Sequence, residues 1–123
     1  MREIKFRAWD IKNKKWLQIG QSLLGYLVAW RSDDKFEILG RGNYKIMQYT
    51  GLKDKNGKEI YEGDIVRIPL NIKEYFDCKV EFNDGCFDVV QDRFRNYLKV
   101  YVANRGIKVI GNVWEDGELL DIK

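Results

Sequence analysis

Turn residues interrupt this chain so often that only short strands and short helices fit between them. Asn56-Gly57, Asp84-Gly85 and Asn104-Arg105-Gly106 separate apolar or alternating runs, and Gly40, Gly42, Gly63 and Pro69 add further breaks. Asn-Gly and Asp-Gly accept positive φ and favour two-residue hairpin turns. The longest apolar stretch, Leu23 to Trp30, has eight residues, far short of the ~20 that span a bilayer; it can also begin as a short helix. The N-terminus is charged from Arg2 onward and carries no apolar signal core. A soluble, cytoplasmic protein without membrane contact is expected.

Between the breaks the side chains alternate. Ile4, Phe6 and Ala8 fall on one face of the first run, and Lys5, Arg7 and Trp9 on the other. Asp84-Gly85 predicts a hairpin in which Asn83 faces Cys86, Phe82 faces Phe87 and Val80 faces Val89. Cys78 then lies roughly 16 Å along the ladder from Cys86 at ~3.3 Å per residue, too far for a disulfide; two free thiols are expected. Phe94, Tyr97 and Leu98 stand at helical spacing, so a short helix is expected there, and a last hairpin from Lys99–Ala103 to Ile107–Trp114. Six to eight short strands with Gly-marked turns make a small mainly-β barrel or sandwich, with antiparallel hairpins and one or two short helices. At 123 residues without a Pro-rich or Gly/Ser-rich linker, the chain reads as a single domain over residues 1–123.

The Tyr61-Glu62-Gly63-Asp64 stretch places two acids around a glycine. The structural reading is a corner: Gly63 takes a conformation closed to other residues, Asp64 accepts a nearby backbone N–H, and Glu62 faces water. A calcium loop fails on spacing, because Gly57 at the sixth position puts Leu52 first and Gly63 twelfth. The chain has no histidine and only two cysteines, which removes the commonest general base and the commonest zinc-binding side chain, and two cysteines alone cannot make a structural zinc site. Gly40-Arg41-Gly42 lacks the remainder of a phosphate or dinucleotide loop. No catalytic residue, metal site or cofactor is expected, and the protein reads as a non-enzyme.

Charge is uneven. Residues 1–61 hold 13 Lys/Arg and 7 Asp/Glu, a net +6, against 9 and 12, a net −3, in residues 62–123. Lys5, Arg7, Trp9, Lys14 and Lys15 therefore form a candidate binding face for phosphate and stacked bases, or simply a solvated one.

Three blocks carry a resemblance: Arg2 to Asp10 (REIKFRAWD), Met47 to Val66 (MQYTGLKDKNGKEIYEGDIV) and Val109 to Leu120 (VIGNVWEDGELL). In this order they resemble the YopX family of small phage and prophage proteins, chiefly from Gram-positive bacteria. The family commonly has Pro where this chain has Gly117. The resemblance implies a mainly-β, SH3-like barrel and no enzymatic activity, and it supplies no catalytic residue. The function expected is a protein-interaction module for a host or phage protein, with homo-oligomers conceivable; the alternative is weak nucleic-acid binding through the basic N-terminal hairpin.

Overall fold

The structure is a computed structural model that describes residues 5–17, 19–21, 27–30, 36–38, 44–104 and 106–121. The breaks expected at Gly40 and Gly42, and residues 23–26 of the longest apolar stretch, lie outside these. The described residues fall into two compact units, Ile4–Gln48 and Tyr49–Lys123.

In the first unit, β1 (Phe6–Asp10) pairs antiparallel with β2 (Lys15–Leu17) and with the start of β6 (Tyr44–Lys53). A second antiparallel sheet runs in the order β3 (Ile19–Gln21), β4 (Leu27–Trp30), β5 (Phe36–Ile38). The alternation of β1 buries Ala8 completely against Leu17, Tyr44 and Ile46. Asp10 closes the β1–β2 loop: its two carboxylate oxygens accept the Asn13 backbone N–H at 3.0 Å and the Asn13 side-chain amide at 2.8 Å. Its carbonyl accepts the Lys14 N–H at 2.8 Å, with Lys14 in the left-handed region at φ 55°.

In the second unit, the end of β6 pairs with β7 (Glu59–Tyr61). β8 (Asp64–Pro69), β9 (Tyr75–Asn83), β10 (Cys86–Gln91), β11 (Phe94–Tyr97) and β12 (Lys108–Asn112) form an antiparallel sheet in the order β11-β10-β9-β8-β12. Helices α1 (Leu98–Asn104) and α2 (Glu118–Asp121) complete the unit. One face of the sheet supplies the core, with Val66, Ile68, Cys78, Val80, Val89 and Val109 packed on Ile60, Leu98 and Ile107. Each fully buried aliphatic side chain contributes roughly 1.5–3 kcal/mol. The architecture is mainly β with antiparallel sheets, one of them curled into a half-barrel, as the strand pattern predicts.

The β9–β10 register is the expected one, Cys86 on Asn83, Phe87 on Phe82 and Val89 on Val80. Asp84 and Gly85 both have positive φ, 50° and 79°, as a type I′ turn requires. Asn56-Gly57 differs, since only Gly57 has positive φ, at 81°. The cause is Asp54, whose Oδ1 accepts the Asn56 and Lys58 N–H groups at 2.8 and 2.9 Å while its carbonyl accepts that of Gly57 at 3.0 Å. Those bonds hold a three-residue loop with glycine in its last, left-handed position.

Two expectations near the C-terminus are corrected. Phe94–Tyr97 is a strand, and the helix begins only at Leu98. Leu98, Tyr101 and Val102, at helical spacing, all pack on the core, so the helical period starts later than expected and absorbs Lys99–Ala103. The last hairpin is therefore not made; β12 pairs with β8 instead.

Gly63 is the corner that the sequence suggests, at φ 87°. Its N–H donates to the Val80 carbonyl at 2.8 Å, and its own carbonyl accepts the Val113 N–H at 2.8 Å. Asp64, buried at 2% exposure, accepts the N–H of Tyr61 three residues back at 2.8 Å. Glu62 is half-buried and not simply solvated. Gly63→Ala is expected to cost more than ~1 kcal/mol, since alanine is strained at positive φ, and Asp64→Asn less, since the amide oxygen still accepts from Tyr61. Equal, negligible shifts in thermal melts contradict this.

A further carboxylate oxygen, Asp54 Oδ2, accepts the buried Val109 N–H at 2.9 Å. Burial pushes the Asp54 carboxyl up, but the N–H groups of Val109, Lys58 and Asn56 outweigh it and hold the group below its ordinary 3.8. A depressed carboxyl stabilises the fold above its unfolded value, and the contribution is lost as pH falls through the folded value. Asp54→Asn is expected to flatten the acid-side loss of stability below about pH 4. Asp54→Ala strands a buried donor as well as two turn N–H groups, and is expected to cost more than ~2 kcal/mol. Denaturant unfolding across pH 2–7 reads both.

Candidate functional site

The five N-terminal candidates do not share one surface. Strand register puts Trp9 opposite Trp16 on β2 and Lys45 on β6, and puts Arg7 opposite Met47. Residues directly opposite lie on the same face, so Arg7, Trp9, Trp16 and Lys45 stand together. The Arg7 guanidinium lies 4.6 Å from the Trp16 ring centroid, and the two indoles meet edge-on at 4.8 Å. Trp9 is buried at 5% exposure, whereas Trp16 is 36% exposed; the ring that reaches solvent is Trp16 and not Trp9. Lys15 pairs with Asp10, on the face opposite to Arg7. The Asp10 carboxyl is held low chiefly by its Asn13 hydrogen bonds, with the Lys15 charge adding to them. Lys14 is exposed in the loop, and Lys5 is half-buried ahead of β1. Trp16 and Lys45 were not legible as members of this face, because the length of a four-residue loop fixes the register that brings Trp16 to Trp9, and Lys45 arrives from β6, separated from β2 by three intervening strands.

A second candidate surface lies on the five-stranded sheet. On its outer face Glu81 stands directly opposite Asp88, a like-charge pair that opposes strand pairing. Arg95 of β11 answers it, donating to Asp88 at 2.9 Å and to Glu81 at 3.0 Å, and Lys79 reaches Glu81 at 2.8 Å. The Glu81 carboxyl is held low first by Lys79 and then by Arg95. Elsewhere on the sheet Arg67 grips Asp77 through two bonds, 2.9 and 3.1 Å, and lies 3.9 Å over the Tyr75 ring.

All four residues of β11 are exposed. Phe94 packs edge-on against Phe76 at 5.2 Å while remaining 37% exposed, and Tyr97 is 52% exposed. Beside the strand, Asp84, Asp88, Arg95, Asn96 and Tyr97 border a groove of about 390 Å³. The opposite edge strand, β12, is covered: Asp54 holds the Val109 N–H, and the Lys55 N–H donates to the Ile107 carbonyl at 3.0 Å.

Among the described residues, no three His, Cys, Asp or Glu side chains converge to hold a metal, and no helix is long and apolar enough to cross a membrane. Cys78 and Cys86 are both free thiols. Cys78 is buried opposite Val66, and burial, with the Asp77 charge adding, pushes its thiol up to about 12. Cys86 is exposed at the start of β10.

A small antiparallel β protein with an open sheet edge and a separate basic-aromatic face is the class this geometry defines. The chain belongs to the YopX family: the family described as "YopX protein" matches residues 5–121, taking in both compact units. Protein EF1440 from Enterococcus faecalis is similar at 29% identity, covering 98% of this chain and 99% of that one, with a TM-score of 0.67. Protein yopX from Bacillus subtilis is similar at 26% identity, covering 98% and 99%, with a TM-score of 0.65. Comparison with curated proteins gives no match.

The two thiols differ in access, and reactivity follows thiolate character and exposure. In the folded protein one group per chain, Cys86, is expected to react promptly with a thiol reagent, and two after unfolding. No reactive group after unfolding, with a monomeric mass, contradicts the β9–β10 register.

Proposed function

We propose that this protein is a non-enzymatic interaction module, phage- or prophage-encoded and acting in the host cytoplasm, that takes an extended protein segment against β11. The open β11 edge carries the reading. Strand addition needs an unpaired, accessible edge with anchors on alternate faces; here Phe94 and Tyr97 supply the anchors on a strand exposed throughout, while the β12 edge is blocked by Asp54. An SH3-like half-barrel, curled but with its β11 edge left open, is in keeping with this use. Asp10, Asp54 and Glu81 are pulled down by hydrogen bonds, whereas a carboxylic general base is raised toward the working pH, so these three do not favour a catalytic role.

The Arg7–Trp16 stack beside Lys45 favours a second reading, contact with nucleic acid. With Lys15 turned to the other face, so few cations support only weak, non-specific binding, on the order of 10⁻⁴ to 10⁻⁶ M at physiological salt.

Affinity capture from infected host lysate, with and without nuclease, tests both. The expected result is a protein retained after nuclease treatment and lost on combined Phe94→Ala and Tyr97→Ala. Retention that vanishes with nuclease, or that ignores both substitutions, overturns the proposal. Sequence-selective binding of labelled DNA or RNA tighter than ~10⁻⁷ M, lost on Lys14→Glu with Lys45→Glu, transfers the function to nucleic acid.

A further inference from the structure

The loop between β8 and β9 presents an apolar knob. Ile72 is fully exposed, at 102%, flanked by Leu70 at 49% and Tyr75 at 52%. The loop beneath it is tied down. Asn71 Oδ1 accepts the Lys73 and Glu74 N–H groups, each at 2.9 Å, and the Glu74 carbonyl accepts those of Leu70 at 2.8 Å and Asn71 at 3.2 Å. A knob held in this way loses little conformational freedom on docking.

At the other end of the sheet, Thr50, Leu52, Phe87, Tyr97 and Leu98 line a mostly apolar pocket of about 230 Å³. That is below the ~300–1,000 Å³ of sites for drug-sized ligands and suits one or two aliphatic side chains. Lys99 stands on its rim, and Cys86 forms part of its wall. Two exposed charges follow Ile72: Lys73, and Glu74, which is the one that complements Lys99 and whose Oε1 accepts the Asn71 side-chain amide at 2.7 Å.

The knob cannot reach the pocket of its own molecule. It follows Pro69 at the Tyr75 end of β9, whereas Cys86 and Tyr97 lie at the Asn83 end. Nine strand residues separate the two ends by about 26 Å. We propose that the protein associates head to tail with second copies of itself, Ile72 of one molecule entering the pocket beside Tyr97 of the next, with Glu74 of the first facing Lys99 of the second. Such an interface is heterologous: each assembled pair keeps one free knob and one free pocket, so assembly continues as an open filament unless the rotation closes a ring. The pocket shares Tyr97 with the strand-addition surface at β11, so on one molecule the two uses compete, while the Ile72 knob lies at the far end of the sheet.

Sedimentation velocity on the full chain tests it. The weight-average mass is expected to rise above 14.6 kDa with concentration over the micromolar to millimolar range, since an interface of this size is small. Ile72→Glu, at a fully exposed site, is expected to hold the mass at the monomer value. Alkylating Cys86 with N-ethylmaleimide, which obstructs the pocket while buried Cys78 stays unmodified, is expected to do the same. The decisive sample mixes the two: the Ile72→Glu chain keeps its pocket and the alkylated chain keeps its knob, so together they form a complex of twice 14.6 kDa that grows no further. A mass of 14.6 kDa at every concentration overturns the proposal. So does self-association that survives Ile72→Glu, or a mixture that stays monomeric. Ile72→Glu leaves β11 intact, so loss of self-association with lysate capture unchanged separates this interface from the strand-addition surface.

Discussion

A single carboxylate, that of Asp54, joins segments 55 residues apart in the chain. It accepts N–H groups from its own turn at Asn56 and Lys58 and from Val109 on β12. An ionised acceptor makes these bonds shorter and stronger than neutral ones. Burying the charge is costly, and the three donors offset that cost where one would not. Two consequences follow from the same atoms: the turn takes a three-residue form, and the edge of β12 is blocked. The Gly63 corner supports the neighbouring segment in the same manner, with its N–H on Val80 and its carbonyl on the Val113 N–H. Both anchors lie within Met47 to Val66, the longest of the blocks that resemble the family.

What could be read beforehand is what depends on a few adjacent residues. Asp84-Gly85 sets its own register because both residues accept positive φ, and Gly63 marks its corner for the same reason. Asn56-Gly57 carries an equally strong local signal, yet the side chain of Asp54 competes with it and decides the turn. At Phe94–Asn104 the local signals mislead in both directions: Phe94, Tyr97 and Leu98 have helical spacing, and Lys99–Ala103 is β-prone. Packing reverses both, because Leu98, Tyr101 and Val102 reach the core only from a helix, while Phe94 lies on Phe76 from a strand. Tertiary contact outweighs propensities of a few tenths of a kcal/mol per residue.

The candidate basic face was harder to read than the fold, because a face is a property of register. Alternation along β1 groups Arg7 with Trp9 correctly. Nothing within β1 says which residues of β2 and β6 stand beside them. The four-residue loop capped by Asp10 brings Trp16 opposite Trp9 and sends Lys15 to the other side. A basic cluster that is dense in sequence is thus divided in space, and its capacity for adjacent phosphates falls with it.

The two candidate surfaces respond differently to salt. The side chains of Arg95 and Glu81 are 42% and 33% exposed, and ion pairs at such positions contribute little and are screened. β11 does not depend on them alone. Phe94 packs on Phe76, and Arg95 also reaches Asp88, whose side chain is only 8% exposed and therefore less screened. Raising ionic strength weakens contacts between Lys14, Lys45 or Arg7 and phosphate, each of which gains from counterion release. It leaves the β11 edge formed, and under the proposed strand addition a kosmotrope such as sulfate would strengthen burial of Phe94 and Tyr97 by an apolar partner. Binding that persists in sulfate therefore belongs to the sheet edge, and binding that disappears belongs to the N-terminal face.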